Sequence, residues 1–202
     1  MRNIITRIVG GILFFAGIIM AAHSFSLYRA ASGDAIDITN MDSSSIEKDM
    51  VVTTKVTDIL GPFESERQML GGKNSYERYY LVPSGKEKNV YFILKLDSSE
   101  DAYIYRNARI TEDMMKGTPQ KGVNPSVITL KGVVRSCSND LIDKATEYMS
   151  SKFKMNASSF SCFPYMIENA TENNSKFNII FGAFWAVIGI VILYVGFKPK
   201  RY

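Results

Sequence analysis

Phe177–Phe197 reads FNIIFGAFWAVIGIVILYVGF, and Lys198, Lys200 and Arg201 follow almost at once. The run holds no charged residue. A helix needs roughly 20 apolar residues to cross a bilayer core of about 30 Å, and this run supplies them. Buried helices of soluble domains are seldom apolar all round for about six turns. The stretch therefore reads as a transmembrane helix over 177–197, and the rest of the chain is organised by how it reaches this helix.

A second apolar run lies near the other end. Ile8–Tyr28, IVGGILFFAGIIMAAHSFSLY, is preceded by Arg2 and Arg7 and followed by Arg29. Two readings compete for it. A cleaved signal peptide needs a basic start, a short apolar core and small residues at the cut, and Ala21-Ala22 allows that. A retained helix over 8–28 is favoured by the length of the run and by Tyr28 and Arg29 as an interfacial anchor. Each run carries a small-xxx-small pair, Gly17/Ala21 and Gly182/Ala186. Small residues at that spacing let helix backbones approach closely, so these four are the expected helix-packing positions. His23 is the sole histidine and reads as a polar residue near the outer interface.

The net charge of +4 suggests acidic lipid or nucleic acid until its distribution is read. Arg2, Arg7, Lys198, Lys200 and Arg201 all lie in the terminal tails 1–7 and 198–202. The stretch from Arg29 to Lys176 holds 19 basic and all 20 acidic residues, a net charge of −1. Basic tails at both ends place both termini in the cytoplasm by the positive-inside rule. The middle of the chain is then extracytoplasmic, on a cell (plasma) membrane. A nucleic-acid partner would need a basic field that this middle segment lacks.

Between the runs, 29–49 is a Ser- and Asp-rich tether with a helical turn capped by Ser43 or Ser44, and 50–176 is the domain. Met50–Leu60 alternates with β-branched residues and stops at Gly61-Pro62, a strand ended by a turn. Pro62–Ser75 reads as a polar hairpin loop containing Gly71-Gly72-Lys73. Arg78–Val82 and Asn89–Leu96 form a hairpin about Pro83-Ser84-Gly85, with Tyr91, Ile93 and Lys95 opposite Val90, Phe92, Leu94 and Leu96. Ser98–Met115 changes to helical spacing, with a Ser98/Asp101 capping box and Ile104, Ala108, Thr111 and Met115 on one face. Val123–Arg135 returns to strand alternation, with a bulge or tight bend at Gly132. Ser138–Phe153 is a second helix, burying Leu141, Ala145, Tyr148, Met149 and Phe153. The polar segment 156–176 returns the chain to the membrane. The expected fold is α+β: two transmembrane helices flanking a small antiparallel sheet packed by one or two helices. A partly open OB-like barrel is the second arrangement that fits.

No motif in the chain carries catalysis, a cofactor or a metal. Ser45-Ile46-Glu47-Lys48 matches S-x-x-K, but the accompanying S-D-N and K-T-G elements are absent. The Gly-Gly-Lys run lacks the frame of a phosphate loop. A membrane-bound serine/lysine hydrolase remains the enzymatic alternative, and it requires a strand lysine such as Lys95 or Lys131 beside a serine in a cleft. The carboxylate pairs Glu64/Glu66, Glu100/Asp101 and Glu112/Asp113 read as solvated surface. Cys137 and Cys162 are too few for a zinc site. A disulfide between them would tie the return segment to the sheet; two buried free thiols are the other reading. Asn156, Asn169 and Asn173 head glycosylation sequons, and with the basic C-terminal tail they leave open a eukaryotic endoplasmic-reticulum protein.

Four segments carry a resemblance: Ile46–Val52 (IEKDMVV), Ile59–Phe63 (ILGPF), Tyr79–Pro83 (YYLVP) and Val90–Leu96 (VYFILKL). In these the chain resembles uncharacterised two-pass membrane proteins of Gram-positive gut bacteria, which carry an extracytoplasmic domain between two helices. The resemblance implies a membrane protein with no known activity and assigns no functional residues; the leading expectation is a non-enzymatic two-pass membrane protein whose middle domain binds a partner. The expected partners are the lipid bilayer and another membrane or cell-envelope protein.

Overall fold

The computed structural model describes residues 2–70, 73–97, 101–170 and 172–197. The expected Gly71-Gly72 loop tip, Ser98 of the capping box and the basic tail from Lys198 lie outside the described residues. The elements in order are α1 (Arg2–Ser32), β1 (Ile36–Asp37), β2 (Val51–Val56), β3 (Leu60–Leu70), β4 (Lys73–Pro83) and β5 (Val90–Asp97). They continue with α2 (Asp101–Met115), β6 (Ile128–Ser136), α3 (Asn139–Phe153), β7 (Ser161–Asn169) and α4 (Glu172–Phe197). The class is α+β, with two long apolar helices flanking a mixed sheet. The chain divides into two compact units, Met1–Gly33 with Ala170–Tyr202, and Asp34–Asn169. The sheet unit thus starts earlier and ends earlier than the expected 50–176.

In the first unit α1 and α4 form a helix pair. The stretches Ile4–Ser32 and Ser175–Phe197 are long and apolar enough to cross a membrane. Both helices extend beyond the expected spans, taking in Arg2–Arg7 and Glu172–Lys176. The small residues repeat every seven positions: Gly10, Gly17 and Ser24 on α1, and Ser175, Gly182, Gly189 and Gly196 on α4. A seven-residue period keeps one seam turned toward a partner helix through gentle left-handed winding. Along this seam the backbones nearly touch. A Cβ on Gly17 would lie 2.5 Å from the Gly182 carbonyl oxygen and 2.6 Å from the Ala186 nitrogen, and one on Gly182 would lie 2.8 Å from the Ala21 nitrogen. At the end of the pair the Arg7 Nε donates to the Gly196 carbonyl at 3.0 Å, and its guanidinium lies 4.2 Å from the centre of the Phe197 ring.

The second unit is one seven-stranded sheet in the order β1-β2-β6-β7-β5-β4-β3. The antiparallel expectation is corrected, because β1 runs parallel to β2 and β5 parallel to β7. The OB-like alternative is corrected as well: the order is that of an open sheet with β1 and β3 at its edges. The central parallel pair comes from β7, and the other from the short β1 in the expected tether. Phe160–Ile167 reads as an apolar island in a polar return segment, yet it is the strand that joins β6 to β5. Pro62–Ser75, expected as loop, is mostly the ladder of a long β3–β4 hairpin.

Alternation on the strands buries both faces. Tyr80, Val82, Phe92, Leu94, Leu96, Val134 and Ile167 pack beneath Ile104 and Ala108 of α2. Tyr79, Leu81 and Ile93 pack on the other face beneath Leu141, Ala145 and Met149 of α3. Met115, expected on the buried face of α2, is exposed at the helix end. Ser138 caps α3 by accepting from the Leu141 amide, and Lys154 ends it in the left-handed conformation at φ 57°. The turn over Ser43–Ser45 starts from Asp42, not from Ser43 or Ser44, and has no side-chain cap: the Asp42 carboxylate meets the Lys86 Nζ at 2.7 Å, and the Ser43 hydroxyl donates to Glu87. Gly132 is not a bulge. It pairs in register with Val52 and Asn169, and a Cβ there would lie 2.4 Å from the Glu168 carbonyl oxygen, so close strand approach demands the glycine.

Candidate functional site

The polar side chains of the sheet unit concentrate in two places. The first is a row of charges on the α3 face, built by strand alternation: Glu77 on β4, Lys95 on β5, Glu168 on β7 and Arg135 on β6. The Lys95 Nζ lies 2.9 Å from Glu77 and 3.3 Å from Glu168. Glu168 also meets the Arg135 Nε at 3.3 Å, and Arg135 pairs with Asp49 ahead of β2. The four strand side chains are 12–19% exposed. Burial alone would lower the Lys95 pKa, but its hydrogen bond to Glu77 and the charge of Glu168 outweigh it, and the net shift is upward. Lys95 is therefore held as a cation. A serine/lysine hydrolase needs a neutral lysine base, and this environment favours the opposite state. Lys131, the other strand lysine considered, is exposed.

The second place joins the two helices. Glu112 of α2 is 9% exposed and accepts from the Tyr148 hydroxyl and, at 2.7 Å, from the Lys152 Nζ, both on α3. Lys116 adds a looser contact at 3.9 Å. Burial and the hydrogen bond to Glu112 push the Tyr148 phenol well above its usual range. Glu112 is thus a buried tie between helices, which corrects its reading as solvated surface. Glu64 bonds Lys144 of α3 at 3.0 Å, an interelement contact as well.

Cys137 and Cys162 are free thiols in the structure, and no disulfide joins them there. Cys162 lies on β7 and Cys137 follows the last residue of β6, where its amide donates to the Pro164 carbonyl at 2.9 Å, and both pack against the apolar cluster beneath α3. Burial raises each thiol to about 11, with the Cys137 charge adding to the shift at Cys162. The sequon residue Asn156 is exposed and spends its side-chain oxygen on the Ser158 amide. Asn169 ends β7. Ser45 closes its short turn, its amide donating to the Asp42 carbonyl at 3.0 Å. No group of three or more His, Cys, Asp or Glu among the described residues can hold a metal ion.

A cleft of about 360 Å³ opens where the C-terminal end of α2 meets the start of β3. Leu60, Pro83, Tyr91, Met114 and Met115 supply its apolar lining, with Asp58 and Thr111 as polar groups. The Thr111 hydroxyl already accepts from the Ile59 amide at 3.3 Å. Burial, then the charges of Cys162 and Asp58, raise the Tyr91 phenol. Sequence reading missed both the cleft and the charged row. The available signal was the presence of Glu77, Lys95, Arg135 and Glu168 at inward strand positions, where unpaired charge is not tolerated.

The architecture defines a class: an α+β sheet unit carried in the chain between two apolar helices, with its partly buried charges Glu77, Lys95, Arg135, Glu168 and Glu112 committed to pairs. No protein-family model matches the chain, and no curated protein matches it.

Proposed function

We propose that this chain is a two-pass integral membrane protein whose α+β unit works outside the cytoplasm as a non-enzymatic binding domain. The partner is another membrane or cell-envelope protein, and both basic tails lie in the cytoplasm. The observation that carries the membrane reading is the inverted packing of the helix pair. Glycines fill the seam, while Ile8, Ile12, Phe15, Ile19, Ile180, Phe184, Val187 and Val191 face outward. A water-soluble helix pair would bury those large side chains and expose the small ones. In lipid the outward residues gain a matching solvent, and close backbone packing holds the helices together.

The binding reading follows from what the polar groups do. Lys95, Glu77, Glu168, Arg135, Glu112 and Lys152 neutralise one another, leaving no activated nucleophile or poised base in this set. The resemblance to two-pass proteins of Gram-positive bacteria is consistent with it. Alkaline carbonate extraction of membranes tests the first part. The protein is expected to stay in the pellet, and release into the supernatant would contradict the membrane assignment.

A further inference from the structure

Within the sheet unit charge is unevenly spread. Asp34–Asn169 holds 17 basic and 19 acidic residues, yet the stretch 102–127 holds Arg106, Arg109, Lys116 and Lys121 against only Glu112 and Asp113. Glu112 is buried in its tie to α3, so the surface of this stretch is more basic than the count suggests. Arg106, Arg109, Lys116 and Lys121 are all exposed.

The same surface is unusually apolar. Tyr103, Arg106, Ile110 and Met114 follow one another at helical spacing along one side of α2, with Tyr103 79% and Met114 45% exposed. Asn107 fixes the neighbouring loop to this side. Its amide nitrogen donates to the Ser126 carbonyl at 2.6 Å, and its oxygen accepts from the Ser126 amide at 3.1 Å. That clamp holds Val127, 66% exposed, beside the stripe. At its C-terminal end the stripe runs into the cleft through Met114 and Met115.

We propose that this stripe and cleft are the docking site for an acidic segment of a partner protein that inserts one large apolar side chain. The inference rests on the binding-domain reading above and gives that reading a place and a chemistry. Charge selects the occupant: Arg106 lies within the stripe, Lys116 follows Met115 at its end, and the exposed charge of 102–127 is mostly basic on an otherwise acidic domain, which calls for carboxylates. A cleft of about 360 Å³ takes an apolar side chain, flexible methionines adapt to its shape, and tyrosine and arginine are the residues that commonly anchor such contacts. Spacing narrows it further. Arg106 precedes Met114 by about 12 Å of helix at 1.5 Å per residue, which an extended segment spans in about four residues. The partner therefore carries a carboxylate about four residues from its anchor, and Lys116, next to Met115, accommodates another close to it.

The test uses the full-length protein in detergent micelles and a labelled nine-residue peptide of Asp and Glu with one central Leu, followed by fluorescence anisotropy. Saturable binding is expected, weakened by salt and weakened about tenfold by Arg106→Glu, by Met114→Ser, or by replacing the peptide's Leu with Ala. Both protein substitutions fall at exposed positions, and unchanged thermal unfolding shows that the fold persists. Absence of binding, or equal binding to the Arg106→Glu protein, overturns the proposal. So does binding of a soluble short-chain phosphatidylglycerol, abolished by Arg106→Glu, in place of the peptide, which assigns the face to lipid, or self-association abolished by Arg106→Glu, which assigns it to a second copy. Carbonate extraction is read separately, so failure of the peptide to bind a membrane-retained protein removes the docking site and leaves the membrane reading standing.

Discussion

Gly17 and Gly182 face each other across the helix pair so closely that a Cβ on Gly17 would lie 2.5 Å from the Gly182 carbonyl oxygen. The atom in the way is backbone, which cannot rotate aside. Gly17→Leu or Gly182→Leu must push the helices apart and forfeit the packing along the seam. Gly11, with nothing within 4 Å of its Cβ position, is the internal control. We expect either seam substitution to cost about 1–3 kcal/mol and Gly11→Leu to cost almost nothing. Thermal unfolding in one detergent reads the difference, and equal effects at all three positions would show that the seam does not hold the pair.

Gly132 plays the same part in the sheet. It stands between β2 and β7, and a Cβ would meet the Glu168 carbonyl oxygen at 2.4 Å. Gly132→Ala should destabilise the sheet unit by more than the about 1 kcal/mol gained elsewhere when a glycine is replaced, because neither neighbouring strand can yield alone. Urea denaturation followed by circular dichroism reads it, and an unchanged midpoint would contradict the close approach.

These two glycines show what the sequence does and does not disclose. The apolar helices were legible from length and lack of charge, and the Gly17/Ala21 and Gly182/Ala186 spacing pointed to the seam. The full seven-residue repeat, which includes Ser24 and Ser175, was overlooked because two of its members are polar. In the sheet unit, period located α2 and β5, and period with the Ser138 cap located α3. The strand β7 was not legible because Pro164 and the polar ends of Ser161–Asn169 mask its alternation. Its central position is set by long-range pairing with β5 and β6, which local pattern does not encode. The charged row depends on that pairing too, since Glu168 reaches Lys95 and Arg135 only once β7 lies between their strands.

Lys95 gives the row its pH dependence. Its folded pKa lies above the ordinary 10.5, so its contribution is complete below that pH and is lost as the pH rises through the folded value. Lys95→Met removes the cation shared by Glu77 and Glu168 and leaves Glu168 to Arg135, a loss of about 3–5 kcal/mol at neutral pH. The wild-type protein should lose stability above about pH 10.5 more steeply than the variant. Parallel pH profiles for the two proteins would remove Lys95 as the organising charge.

The two thiols give a second pH window. Burial raises Cys137 and Cys162 from 9.0 to about 11. Their contribution to stability is therefore present below pH 9 and lost between 9 and 11. At pH 8 both should react slowly with Ellman's reagent in the native protein and rapidly in urea, because the thiolate is the reactive form. Fast native labelling of either would show that the cluster beneath α3 is open.

The most direct test of the account is the sidedness of the sheet unit. In a Cys137→Ala, Cys162→Ala background, Glu147→Cys places one exposed thiol on α3, and Asn3→Cys places one near the N-terminus. A membrane-impermeant maleimide should label Glu147→Cys in intact cells and label Asn3→Cys only after permeabilisation. Labelling of Asn3→Cys from outside, or protection of Glu147→Cys until the cells are opened, would contradict a two-pass protein with an extracytoplasmic binding domain.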